Sequence, residues 1–174
     1  PKYMGVPADR VVLLTATPDE KRKSQPATRE NVIKALHEAV AKTAKDDQII
    51  FAWFGRGASA GERTCLFTKD SDFKERAKTG VLGSDLEAEL KPAKDRKLAM
   101  ILDVSFKGFD AGKETLVEPN LRDVLAAVFG GEEKGESPMP HDRVVFLASV
   151  PSHDPLTKGN NGLFAADTLE ALKG

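Results

Sequence analysis

The chain has 174 residues, enough for one domain with a full core. Charged residues make up 30 % of it and the formal net charge is -1, so it lacks the basic excess of a nucleic-acid-binding surface. No apolar run approaches the roughly 20 residues that span a bilayer, and the one cysteine, Cys65, excludes an internal disulfide and is too little for a zinc site. Neither nucleic acid nor membrane is expected as a partner, and no metal or cofactor. The sparse cysteine use fits a reducing compartment and favours a cytoplasmic location. The opening Pro1-Lys2-Tyr3-Met4 has no initiator methionine, as expected of a domain excised from a longer chain, with any targeting segment upstream.

In chain order, Arg10-Val11-Val12-Leu13-Leu14-Thr15 reads as a short buried strand after a Pro/Asp turn. Residues 18–26 are charged and broken by two prolines, which makes them a loop. Thr28 is a good N-cap with Glu30 in the first turn, and Val32, Ile33, Leu36 and Val40 repeat at helical spacing, so a helix runs to about Thr43. Asp46-Asp47 ends that unit. Residues 48–54 form the next strand and Thr64-Cys65-Leu66-Phe67 a shorter one. A short helix spans 83–90, a strand 98–102, and a helix opens at Asn120 with Leu121, Val124, Leu125 and Val128. Residues 130–140, rich in Gly, Glu and Pro, read as a surface loop; 143–148 is a strand and 163–172 a closing helix. Strand, helix, strand at this spacing implies crossover units with parallel strands. The expected architecture is one α/β domain over residues 1–174 with a mostly parallel sheet.

Two strand ends carry the candidate chemistry, since ligands of such sheets bind beyond the carboxyl ends of the strands. The first is Phe54-Gly55-Arg56-Gly57, the second Asp103-Val104-Ser105-Phe106-Lys107-Gly108. A glycine-rich turn after a strand can cradle phosphate, but the dinucleotide fingerprint needs other spacing and a helix directly after it, whereas a strand follows here. A plain turn uses the same glycines. Asp103 and Ser105 leave their strand on one side, which suits a metal or a nucleophile, while an aspartate there also caps backbone donors at the start of a loop.

Together the two sites resemble the catalytic dyad of the caspase and metacaspase cysteine peptidases, in which a Gly-His-Gly ends one strand and an Asp-x-Cys-x-x-Gly ends another. The histidine position holds Arg56 and the cysteine position Ser105, 49 residues apart, close to the roughly 50 of caspase-type enzymes. Residues 26–32, 66–72 and 145–149, and Gly162-Leu163-Phe164 with Ala165 in place of a threonine, resemble further segments of that family in the same order. The resemblance implies a caspase-like three-layer α-β-α sandwich whose first strand lies upstream of residue 1. It implies substrate-binding positions at Asp103, Gly55 and Gly57, with Asp103 matching the acidic residue by which metacaspases select Arg or Lys.

The resemblance argues against that family's mechanism here. A serine hydroxyl needs an adjacent general base, and a guanidinium stays protonated. Of the three histidines, His37 sits on a helix flank and His141 at the amino end of a strand, while His153, in Pro151-Ser152-His153-Asp154-Pro155, follows a strand at the correct edge. Cys65 lies mid-strand, where a structural thiol is the ordinary case. Three expectations stand: an inactive peptidase-type domain that binds a peptide or protein partner; a hydrolase with Ser105 as nucleophile and His153 as base; and a domain binding an anion or small molecule through Arg56, Ser105 and Asp103, where Arg56 instead pairs with Asp103 if the cleft is closed.

Overall fold

The computed structural model describes residues 6–106, 120–130, 142–148, 157–158 and 161–171. In chain order the elements are β1 (Leu14–Thr15), β2 (Gln25–Pro26), α1 (Arg29–Lys42), β3 (Gln48–Ala60), β4 (Arg63–Leu66), α2 (Arg76–Thr79), β5 (Val81–Leu82), α3 (Gly83–Leu90), β6 (Lys97–Ser105), α4 (Arg122–Phe129), β7 (Arg143–Leu147), β8 (Thr157–Lys158), β9 (Asn161–Gly162) and α5 (Leu163–Ala171). Residues 107–119, 131–141 and 149–156 lie outside the description, and with them Gly108, His141, His153, Asp154 and most of the 130–140 loop.

The helix read from Thr28 onward is α1. The Thr28 Oγ1 accepts the Asn31 N–H at 3.2 Å, which satisfies one of the open donors of the first turn. A carboxylate reaches the same end from outside the helix, as Asp70 Oδ1 accepts the Arg29 N–H at 3.0 Å. The Arg29 guanidinium then pairs with Asp85 at 3.0 Å and donates to Gly80 O at 3.0 Å, joining the start of α1 to the start of α3.

The main sheet has five strands in the order β5-β4-β3-β6-β7. The β3–β6 and β6–β7 pairings are parallel, whereas β3–β4 and β4–β5 are antiparallel. This corrects the expectation of a mostly parallel, caspase-like sandwich: the sheet is mixed, and the only other parallel pairing described is the separate two-stranded β1–β2. The reason is local. Gly61, at a φ of 64°, and Glu62 turn the chain back at the end of β3, and so tight a connection can only join antiparallel strands.

Layering departs from the expectation as well. Alternate residues of a strand face opposite sides, and Ile49, Phe51, Trp53, Leu98, Met100, Leu102, Val104 and Val145 face one side, where they pack with Val32, Leu36 and Val40 of α1, Leu86 and Leu90 of α3, and Val124 and Val128 of α4. On the other side Ile50, Phe54, Val144 and Phe146 are exposed. Among the described residues α1, α3 and α4 thus all cover one side of β3, β6 and β7, and α5 meets the other side at Asp103. Residues 10–15, read as a buried strand, are strand only at Leu14–Thr15, and Val12 is 54 % exposed, because among the described residues no strand pairs with Val11 or Val12 and Leu13 receives only the Gln25 N–H.

Arginines close the amino-terminal end of the sheet. Arg96 donates to Val40 O at the end of α1, and Arg143 donates to Val128 O at the end of α4 (2.6 Å) and to Ala93 O. Cations at carbonyl-rich helix ends satisfy open acceptors and complement the dipole. Burial pulls the Arg143 guanidinium below its ordinary value, opposed by the nearby Asp95. At the other end of α4, Asp123 Oδ2 accepts the Thr64 N–H at 2.8 Å and the fully buried Thr64 hydroxyl donates to Asn120 O at 3.0 Å, tying α4 to β4.

Gly83 makes room for that tie, since a Cβ there would sit 2.5 Å from Asp123 Oδ2. Gly83→Ala is expected to push Asp123 off Thr64 and to destabilise the fold by about 1–3 kcal/mol, the range for an overpacked site or an orphaned buried donor. Urea unfolding of the two proteins measures it, and an unchanged midpoint would contradict the account.

Candidate functional site

The site lies where β3 leaves one pairing for another. Residues 48–56 pair in parallel with β6, and residues 57–60 pair antiparallel with β4. Gly57 permits the change. A Cβ there would sit 2.7 Å from Cys65 O, 2.9 Å from Phe106 Cε1 and 3.0 Å from Val104 Cγ1, so the position admits only hydrogen. Gly57 is buried and its identity follows from packing. Gly55 pairs with Val104, and a Cβ on it would meet Trp53 Nε1 at 3.2 Å, on the helix-covered side.

The register brings Arg56 and Ser105 together as direct Cα partners at the carboxyl ends of neighbouring parallel strands, a separation of about 4.8 Å. Phe54 pairs with Asp103 one step earlier on the same face. Arg56 is exposed; Ser105 and Asp103 are half-buried. The structure thus brings the strand position of a guanidinium beside those of a hydroxyl and a carboxylate that stand far from it in the sequence.

Asp103 is engaged by α5. Its carboxylate accepts the Ala165 N–H in the first turn of that helix, and Gly162 lies so close that a Cβ would come within 2.7 Å of Asp103 Oδ2. An anion at a helix N-terminus satisfies open donors and complements the dipole. Burial nonetheless raises the Asp103 carboxyl above its ordinary value, and the hydrogen bond from Ala165 opposes the rise. An Arg56–Asp103 ion pair, weighed from the sequence, is not among the ion pairs of the described residues. Sequence reasoning missed the α5 contact, although a glycine directly before a helix, Gly162, was its signal.

Comparison with protein-family models, with curated proteins and with solved structures gives no match. The site must be read from its own geometry.

The other candidates are dispersed. Cys65 is fully buried, donates through Sγ to Arg76 O at 3.3 Å, and its thiol is pushed up to about 11 by burial. A thiol held neutral and enclosed is not a nucleophile at neutral pH. His37 pairs through Nδ1 with Glu89 Oε2 at 3.0 Å on the exposed flank joining α1 to α3. Among the described residues no group of three or more His, Cys, Asp or Glu is placed to hold a metal ion, and no helix is long and apolar enough to cross a membrane.

The chemistry of the juxtaposed pair is limited by Arg56. A guanidinium donates hydrogen bonds in a planar fork and accepts none, so it binds a carboxylate or phosphate and takes no proton from Ser105.

The raised Asp103 carboxyl has a definite sign. The unfolded group titrates near about 3.9, the folded one higher, so the folded state binds the proton more tightly. Its contribution to stability is full below the unfolded value and lost as pH rises through the folded value. Asp103→Asn keeps an acceptor for Ala165 without the charge, so its stability relative to wild type is expected to rise across that window. Asp103→Ala, lacking the acceptor, is expected to stay below Asp103→Asn by about 1 kcal/mol. Urea midpoints at a series of pH values test both, and a wild-type-to-Asn difference that ignores pH would refute the assignment.

Proposed function

We propose that the chain is a non-catalytic binding module whose strand-end site takes a carboxylate presented by a peptide or protein partner. The observation that carries the reading is the register pairing of Arg56 with Ser105. It sets an exposed guanidinium fork beside a hydroxyl donor, a pair suited to hold both oxygens of one carboxylate. Asp103 does not compete for the same role, because its carboxylate receives the α5 N-terminus.

The likeness of these strand ends to the caspase-type dyad motifs supports the same reading. Both catalytic positions carry residues that cannot perform the steps of a cysteine peptidase: serine lacks the thiol's acidity and arginine cannot act as a base. A peptide-binding site that has exchanged its dyad for donors would retain recognition without turnover.

Two assays on the purified chain test this. Titration with a peptide pool bearing free carboxylates is expected to show binding that amidation of those carboxylates abolishes. Arg56→Ala is expected to weaken it at least about tenfold, with Arg56→Lys intermediate because the ammonium lacks the fork. Hydrolysis of the same pool is expected to stay at the level of Ser105→Ala. Turnover that Ser105→Ala abolishes would establish a serine-based hydrolase instead. Binding indifferent to both substitutions would place recognition elsewhere.

A further inference from the structure

Among the described residues the first part of β3 has an open side. Residues 48–55 pair with β6 along one edge, and on the other edge the first described bond is Phe67 N–H to Arg56 O at 2.9 Å, where the β4 side of the sheet begins. This stretch, Gln48-Ile49-Ile50-Phe51-Ala52-Trp53-Phe54-Gly55, is apolar on both faces and carries no lysine, proline or charge. Long flat apolar edges pair with whatever strand is near, and natural sheets blunt them with charges, prolines or bulges. A strand apolar on both faces also marks an interior position in a sheet. Composition and position disagree here, and the disagreement asks for an occupant.

One segment of the chain is tied along that flank at both ends. At its start, Arg10 pairs with Asp47 Oδ2 at 3.3 Å, and Asp47 immediately precedes β3. At its finish, Leu13 O and Thr15 O accept the N–H groups of Gln25 (2.9 Å) and Ala27 (3.0 Å), and Ala27 O accepts the Lys69 N–H at 2.8 Å, two residues beyond the Phe67 that bonds Arg56. The segment therefore runs from the amino end of the open edge towards the place where β4 closes it. Extended at about 3.3 Å per residue, its six residues span about 20 Å, comparable to the first six residues of β3. Between the ties Val11, Val12 and Leu13 are exposed.

The side-chain pattern supplies a register. With Arg10 opposite Asp47, Leu14 falls opposite Phe51, and both pack on the helix-covered core. Val12 then falls beside the buried Ile49 on the same face, and Leu13 beside the exposed Ile50 on the other. A shift by one residue would turn Leu14 out of the core.

We propose that residues 10–15 form a strap that closes on the open edge of β3 as a parallel strand, Val12 beside Ile49 and Leu14 beside Phe51. Closure adds a sixth strand, turns β3 into an interior strand, and denies its edge to foreign strands and to second copies of the chain. The inference does not depend on what the Arg56 site binds.

Hydrogen exchange followed by NMR on the whole chain, with its oligomeric state checked by light scattering, provides the test. In a strand paired on one side only, alternate amides point at solvent; paired on both sides, all are protected. The expected result is a slow amide at every position from 49 to 52 in the monomer. Val12→Pro, which removes a ladder donor, is expected to speed alternate ones at least about tenfold and leave β6 amides unchanged. Fast alternate amides in the wild type would overturn the proposal, as would protection that grows with protein concentration, since a second copy would then fill the edge. A cysteine pair checks the register should the proline variant fail to fold. Leu13→Cys with Ile50→Cys is expected to form a disulfide within one chain, and Leu13→Cys with Phe54→Cys is not, because only the first pair comes within bridging distance. Failure of the first pair, or equal success of both, would also overturn it.

Discussion

The nine-residue parallel pairing of β3 with β6, from Gln48 opposite Lys97 to Arg56 opposite Ser105, is the constraint on which the rest depends. A shift of one residue would invert every side chain of one strand relative to the other. Ile49, Phe51 and Trp53 would then leave the face they share with Leu98, Met100 and Leu102, and α1, α3 and α4 would lose their common floor. The same register that assembles the core brings Arg56 beside Ser105. The site is in this sense a consequence of core packing carried to the end of the strands.

The two ends of the sheet are held by different means. At the amino-terminal end the arginines Arg96 and Arg143 reach helix-terminal carbonyls and lock the ends of α1 and α4. At the carboxyl end the ties involve the site itself: Gly57 lets β4 pass close to β3, and Asp103 receives the start of α5. A cluster of donors and acceptors at the carboxyl end matches the general placement of binding groups on a rigid frame. Asp103, which reads as a ligand-binding carboxylate in the sequence, accepts the Ala165 N–H at the start of α5 in the structure.

Legibility varied with the range of the interaction. Thr28 and the spacing of Val32, Leu36 and Val40 marked α1 closely, because capping and helical periodicity are local. The strand ends at Phe54 and Val104 were legible as breaks in apolar runs. The mostly parallel sheet expected from the alternation of strands and helices is overturned at β4, whose direction is set by the short turn at Gly61. Residues 10–15 show the opposite failure. Their apolar composition implied a buried strand, yet composition names no partner, and only Leu14 reaches the core. The Asp103–α5 contact spans some sixty residues and has no periodicity to betray it.

By itself the sequence determined the helices with their caps, the location of the two polar strand ends, and the absence of a base at position 56, since each depends on residues close along the chain or on the identity of one side chain. The tertiary structure decided the mixed sheet, the gathering of α1, α3 and α4 on one of its sides, the burial of Cys65 and the pairing of Arg56 with Ser105. Those features depend on which strands become neighbours. That choice is made by the burial of apolar faces summed over the whole core, a quantity no local stretch of sequence contains.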